Sequence, residues 1–233
     1  MEKTNQKINS KDFIELEFTA RVKDGEIFDS NIKENLEKMN VDVEKSAGRI
    51  KPLALCIGEG MFLKGVEDFL IDKEIGKQYD ISLSPEMAFG KRNPELVKMV
   101  PMKVFKEQQV YPQQGMTFNF DGNIAKILSV SGGRVIVDFN NPLAGKDVIY
   151  TVTAKNKIET LEEKVKALMD FLFRKEFKFR LAETEKKLIL EVEKPFVAFA
   201  SLFKDKFKGI LDLDLEVKEI VEVVKETNSS GEA

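Results

Sequence analysis

Apolar and polar residues alternate from Asp12 to Val22, with Phe13, Ile14, Leu16 and Phe18 marking a strand, and Lys23-Asp24-Gly25-Glu26 interrupts the run before Ile27 and Phe28. A period of two puts alternate side chains on one face of a strand, so the pattern predicts a hairpin. Pro52 to Ile57 is a second apolar strand, and Phe62, Val66, Phe69 and Leu70 share one side of a short helix. Alternation returns from Asp80 to Leu83. From Met99 to Phe139, Val104, Val110, Met116, Phe118, Phe120, Ile127, Val135 and Val137 are punctuated by Gly115, Asp121-Gly122 and Gly132-Gly133, which reads as a strand-rich unit. Val148, Tyr150 and Val152 supply one more strand.

A different architecture begins after Lys155-Asn156-Lys157. Thr160 and Glu163 have the spacing of a capping box, and Leu161, Val165, Leu168, Met169 and Leu172 follow at helical spacing. Phe177, Phe179 and Leu181 alternate, as do Leu188, Leu190 and Val192. Pro195 suits the first turn of one further helix carrying Phe196, Phe199, Ala200, Phe203 and Phe207. Leu211, Leu213, Leu215 and Val217 form a last strand, and TNSSGEA reads as a frayed tail. The expected class is α+β, ending in an αββαβ unit.

Composition narrows the chemistry. The charges, 37 basic against 40 acidic, nearly cancel to -3, so no basic field exists for nucleic acid or an acidic membrane. The N-terminus lacks the apolar run of a signal peptide, and nowhere do 18 uncharged apolar residues follow one another, so a cytoplasmic protein is expected. Cys56 lies in an apolar stretch and reads as a buried, inert thiol. The absence of His removes Ser-His-Asp and Cys-His catalysis, and no phosphate-cradling glycine motif occurs. Asp212, Asp214 and Glu216 alternate opposite apolar residues, as a solvated strand face rather than a metal site does. No metal and no cofactor are expected.

Three segments in order carry a resemblance: DGEIFDS at 24–30, IGEGMFLKGVEDFL at 57–70 and SPEMAFG at 84–90. They resemble the FKBP family of peptidyl-prolyl isomerases, whose fold is an antiparallel sheet with a short helix. Residues 91–147, where short members have only a flap, resemble the insert-in-flap domain of SlyD-like isomerases, including VDFNNPLAG at 137–145. The C-terminal unit resembles that of long archaeal members. The resemblance implies a discontinuous catalytic domain (1–90 and 141–156), an insert-in-flap chaperone domain (91–140), a C-terminal α+β domain (157–224) and a flexible tail (225–233).

By motif position, Phe18, Phe28, Phe62, Leu63, Val66, Phe89, Leu143 and Tyr150 resemble the family's prolyl pocket, with Asp29 at its edge. Leu63 resembles the residue whose backbone N–H meets the carbonyl preceding proline, and Asp29 would orient the twisted amide. Val66 stands where many members place Trp, and Phe89 where many place Tyr, which removes a hydroxyl. Without the ordered motifs, Phe18, Phe28 and Val66 read as ordinary core, and Asp29 as a turn-stabilising carboxylate.

In the insert, Met99, Val100, Met102, Val104 and Phe105 are candidates for binding unfolded segments, because thioethers repack easily and Val100-Pro101 interrupts a strand. Phe118 and Phe120 fit a small core better. SlyD proteins often bind nickel through a His-rich tail, which this His-free chain does not carry. The expected partners are polypeptides containing X-Pro bonds. The C-terminal phenylalanines, with Phe171 and Phe173 off the helical stripe, exceed what a small core uses and suggest a two-fold homodimer. Two alternatives stand beside the isomerase: a holdase chaperone with a residual prolyl pocket, and an assembly protein acting through the C-terminal domain.

Overall fold

The computed structural model describes residues 6–45, 48, 50–120 and 123–220. The chain runs through β1 (Phe13–Val22), β2 (Ile27–Ser30), α1 (Lys33–Lys38), β3 (Leu53–Cys56), α2 (Lys64–Leu70) and β4 (Gln78–Leu83). It continues as β5 (Val97–Pro101), α3 (Met102–Glu107), β6 (Thr117–Phe120), β7 (Asn123–Ser131) and β8 (Arg134–Asp138). It then returns as β9 (Val148–Ile158) and ends with α4 (Leu161–Phe173), β10 (Lys178–Ala182), β11 (Lys187–Val192), α5 (Lys194–Ser201), α6 (Lys204–Leu211) and β12 (Asp214–Glu219).

β1 organises the first sheet, because its alternation extends over ten residues and both of its edges are used. β9 pairs along its whole length on one side, while β3 and β2 share the other. β3 covers Phe13 to Leu16 and β2 resumes at Thr19, leaving a gap at Glu17 and Phe18. β9 does not stop near Val152; it runs through the expected junction to Ile158, opposite Phe13, so residue 156 lies within a strand.

The insert has its own sheet, in the order β5-β8-β7-β6, and a separate small core of Phe105, Ala125, Ile127, Val135 and Val137. Val104 and Phe105 lie in α3 rather than in a strand. Pro101 ends the pairing of β5, and the Met102 N–H turns to Gly133 O at 2.9 Å. The Asp121-Gly122 turn lies outside the described residues.

In the C-terminal unit, β10 and β11 are antiparallel and β11 and β12 parallel. A parallel pair needs a crossover, which α5 and α6 supply. The single helix expected after Pro195 is therefore two: i to i−3 hydrogen bonds at Leu202 and Phe203 tighten the end of α5 before α6 begins. The break lets both Phe203 and Phe207 reach Phe173, with centroids 5.3 and 6.3 Å apart. Leu211 ends α6 instead of starting the last strand, and Asp212 follows in the left-handed region at φ 54°. Thr160 accepts the Glu163 N–H and bonds its carboxylate, so the helix α4 starts where the capping box predicted. The tail from residue 227 lies outside the described residues.

The C-terminal unit does not build a core apart from the catalytic domain. Val165, Leu168 and Met169 of α4 belong to the same buried cluster as Phe13, Leu55 and Val152. Among the described residues no helix is long and apolar enough to cross a membrane.

Candidate active site

Five aromatic rings converge from separated parts of the chain. Phe18 lies 5.1 Å from Phe62 and 6.2 Å from Tyr150, Phe28 lies 5.7 Å from Phe89 and 6.1 Å from Tyr150, and Phe62 lies 5.7 Å from Tyr150. All five contacts are tilted or edge-on, the arrangement that ring quadrupoles favour. Val66 and Tyr150 are buried, while Phe28, Phe62, Leu63 and Phe89 are half-buried. Leu143 is half-buried in the segment returning from the insert.

Asp29 follows Phe28 on β2 and is half-buried, its Oδ1 accepting the Ser30 N–H at 2.9 Å. Burial, and secondarily the Asp29 charge, pushes the Tyr150 phenol well above its ordinary range. The hydroxyl therefore stays protonated, a polar donor in an apolar wall. Leu63 occupies the extended position before α2, where its carbonyl accepts the N–H groups of Val66 and Glu67.

The supporting side chains escaped the sequence reading. Asn31 fills the gap on β1: its Oδ1 accepts the Phe18 N–H at 2.8 Å, and its amide donates to Leu16 O and Lys51 O. Ser30 Oγ donates to Phe18 O at 2.9 Å, so both the N–H and the carbonyl of this aromatic residue are satisfied in the gap between β3 and β2. Glu67, buried on α2, accepts the N–H groups of Gly58, Gly60 and Phe62 at 2.8, 3.2 and 2.6 Å. A carboxylate beside Val66 within an apolar helix was the available signal.

Gly65 sits where α2 meets the 84–90 segment: a Cβ there would lie 2.7 Å from Leu83 Cδ2 and 3.0 Å from Met87 O. Only a residue without a side chain lets that segment, and hence Phe89, come so close to the helix.

The crossings between catalytic domain and insert are tied together. The Gly145 N–H donates to Gly90 O at 2.8 Å, Asn140 exchanges hydrogen bonds with the Asn93 backbone, and Arg92 pairs with Asp138. Within the insert, Met99 is 58% exposed on the edge strand β5, whereas Phe105 is a core residue packed 5.4 Å from Phe118. Phe105 is thus no surface for a client. Val100 and Met102 pack partly against the same core, and Val104 is half-buried on α3.

The lysines Lys186 and Lys208 hold Asp212, Lys208 also holds Asp214, and Lys187 and Lys218 hold Glu216. Among the described residues no group of three metal-capable side chains forms. Phe173 is surrounded by Phe177, Phe199, Phe203 and Phe207. Phe171 instead turns toward a cavity beside Phe18 and Phe62. Phe173 therefore supplies no surplus surface for association, and among the described residues of this unit the exposed large apolar side chains are Phe199, Leu202 and Ile220, at 43%, 76% and 42%.

An antiparallel sheet, a short helix and a group of aromatic rings drawn from both together define the class of fold and candidate site. The chain belongs to the family of FKBP-type peptidyl-prolyl cis-trans isomerases, whose model matches residues 4–120. Residues 98–143 match the IF domain of FKBP26. Relatives include a short-type peptidyl-prolyl cis-trans isomerase of Methanocaldococcus jannaschii, 28% identical over 64% of this chain and 93% of its own length. An FKBP-type isomerase SlyD of Treponema pallidum is 28% identical over 70% of this chain and 85% of its own. A 16 kDa FKBP-type isomerase of Escherichia coli is 29% identical over 47% and 76%.

Proposed function

We propose that this isomerase seats proline on the Phe18, Phe28, Phe62, Phe89 and Tyr150 rings over Val66, and that its insert holds the unfolded client nearby. The convergence of these rings beside one carboxylate, Asp29, carries the reading.

The barrier to X-Pro rotation is about 18–20 kcal/mol and arises from amide resonance, which is lost when the bond twists. The twisted amide is less polar than the planar one, so a water-poor apolar seat disfavours it less. The Leu63 N–H at the oxygen end of the carbonyl and the Asp29 carboxylate toward its carbon end favour the rotated form. No proton transfer or nucleophile enters, in keeping with a His-free chain.

Met99 on the open edge of β5 supports a holding role for the insert, since an unpaired strand edge accepts extended peptide. Val100, Met102 and Val104 border that edge. A client held there meets the prolyl seat at raised local concentration. Phe199 and Leu202 support self-association through the C-terminal unit as a two-fold homodimer. The near-neutral charge favours clients in the cytoplasm over nucleic acid or membrane.

Refolding of a protein limited by prolyl isomerisation tests the division of labour. Replacing residues 91–139 with a short flap should leave turnover of short peptides largely intact while refolding catalysis falls. An equal fall in both would refute the separate holding role.

A further inference from the structure

A cavity of about 540 Å³ opens beside the ring cluster, and the catalytic domain forms only part of it. Phe18, Asp29 and Phe62 line one side, and Phe171 and Arg174 of the C-terminal unit line the other. α4 is fixed in this position by the core it shares with the catalytic sheet, and Asp170 pairs across the cavity with Lys51 at 3.8 Å. The floor includes Leu53 of β3, whose partner strand among the described residues is β1. Arg174 ends α4 in the left-handed conformation, φ 50°, with its side chain exposed.

We propose that this cleft is a second substrate site, contributed by the C-terminal unit, that takes the polypeptide stretch adjoining the isomerised proline in extended form. The inference rests on proline sitting against Phe18 and Phe62, because those two rings border both the prolyl seat and the cleft. A chain leaving the seat on that side meets an apolar ring at Phe171, guanidinium donors at Arg174 and carboxylate acceptors at Glu15 and Asp170. Side-chain donors for the peptide's carbonyls, carboxylate acceptors for its N–H groups and an apolar contact together recognise extended peptide with little dependence on sequence. Phe171 and Arg174 are thereby residues that set preference for substrate length, outside the group that touches the twisting bond.

The test uses the full-length protein with two substrates: a tetrapeptide containing X-Pro, and a ten-residue peptide with the same tetrapeptide at its centre. The expected result is a kcat/KM about tenfold higher on the longer peptide, which Phe171→Ser and Arg174→Glu each abolish through KM while tetrapeptide turnover stays unchanged. Arg174 is exposed, so its variant tests the cleft even if Phe171→Ser disturbs packing. The proposal is overturned if the wild type shows no length preference, if Arg174→Glu keeps that preference, or if it slows both peptides equally. A wild type that turns over neither peptide removes the prolyl seat itself and the cleft's role with it.

Discussion

Glu67 accepts the backbone N–H of Phe62 at 2.6 Å while its other oxygen accepts those of Gly58 and Gly60, so one buried carboxylate shapes the loop that presents a site ring. Glu67→Ala leaves three donors without this partner and should cost about 3 kcal/mol of stability, since each unsatisfied buried group costs about 1–3 kcal/mol and water recovers part. Glu67→Gln keeps the shape but turns one accepting oxygen into an NH2 donor that faces a backbone N–H, and should cost about 2 kcal/mol. Urea unfolding measures both, and equal stability of Glu67→Ala and wild type would show that the loop is set by something else.

Asp29→Ala and Phe89→Ala are each expected to lower X-Pro isomerisation in a peptide assay about tenfold, or about 1.4 kcal/mol of barrier, with circular dichroism unchanged. Asp29 contributes a charge next to the Tyr150 hydroxyl, and Phe89 an edge-on ring contact with Phe28. Undiminished turnover in both variants would remove these residues from the site.

The hinge between catalytic domain and insert should loosen in acid. Burial pushes the Asp138 carboxyl up, but hydrogen bonds from Asn140 and the charge of Arg92 outweigh it, and the group lies below its ordinary range. A lowered folded-state value means that its stabilisation is present above the unfolded value of about 3.9 and is lost as pH falls through the folded one. Amide exchange at residues 90–96 and 138–146, corrected for intrinsic rates, should stay level from about pH 7 to 5 and rise below about 4. Asp138→Asn should flatten that profile; an unchanged acid response in this variant would assign the loosening to another group.

For self-association, Phe199→Asp and Leu202→Lys are the informative changes, because cutting the chain at residue 157 would open the core that α4 shares with the catalytic sheet. Light scattering at micromolar concentration should give a dimer for the wild type and a monomer for the double variant; because Phe199 also touches Phe173, Leu202→Lys alone, at the more exposed residue, should weaken the dimer with thermal stability nearly unchanged. A monomeric wild type would exclude the interface.

The sequence by itself determined the local elements and pointed to the rings that the fold brings together in the candidate site. Period-two alternation marked β1, β10 and β11, the Thr160–Glu163 spacing marked the start of α4, and three ordered segments singled out the rings that meet at Tyr150. These features are readable because they depend on neighbours within a few residues, or on motifs in a fixed order. The tertiary structure alone decided where Phe105, Phe171 and Phe173 point, that the helix after Pro195 breaks in two, and that β9 continues to Ile158. It also revealed Asn31 and Glu67 as supports, polar residues whose value lies in backbone groups 5 to 20 positions away. Burial and hydrogen-bond satisfaction are properties of the packed chain, so the same phenylalanine pattern fits an external interface or an internal ring cluster until the elements are brought together.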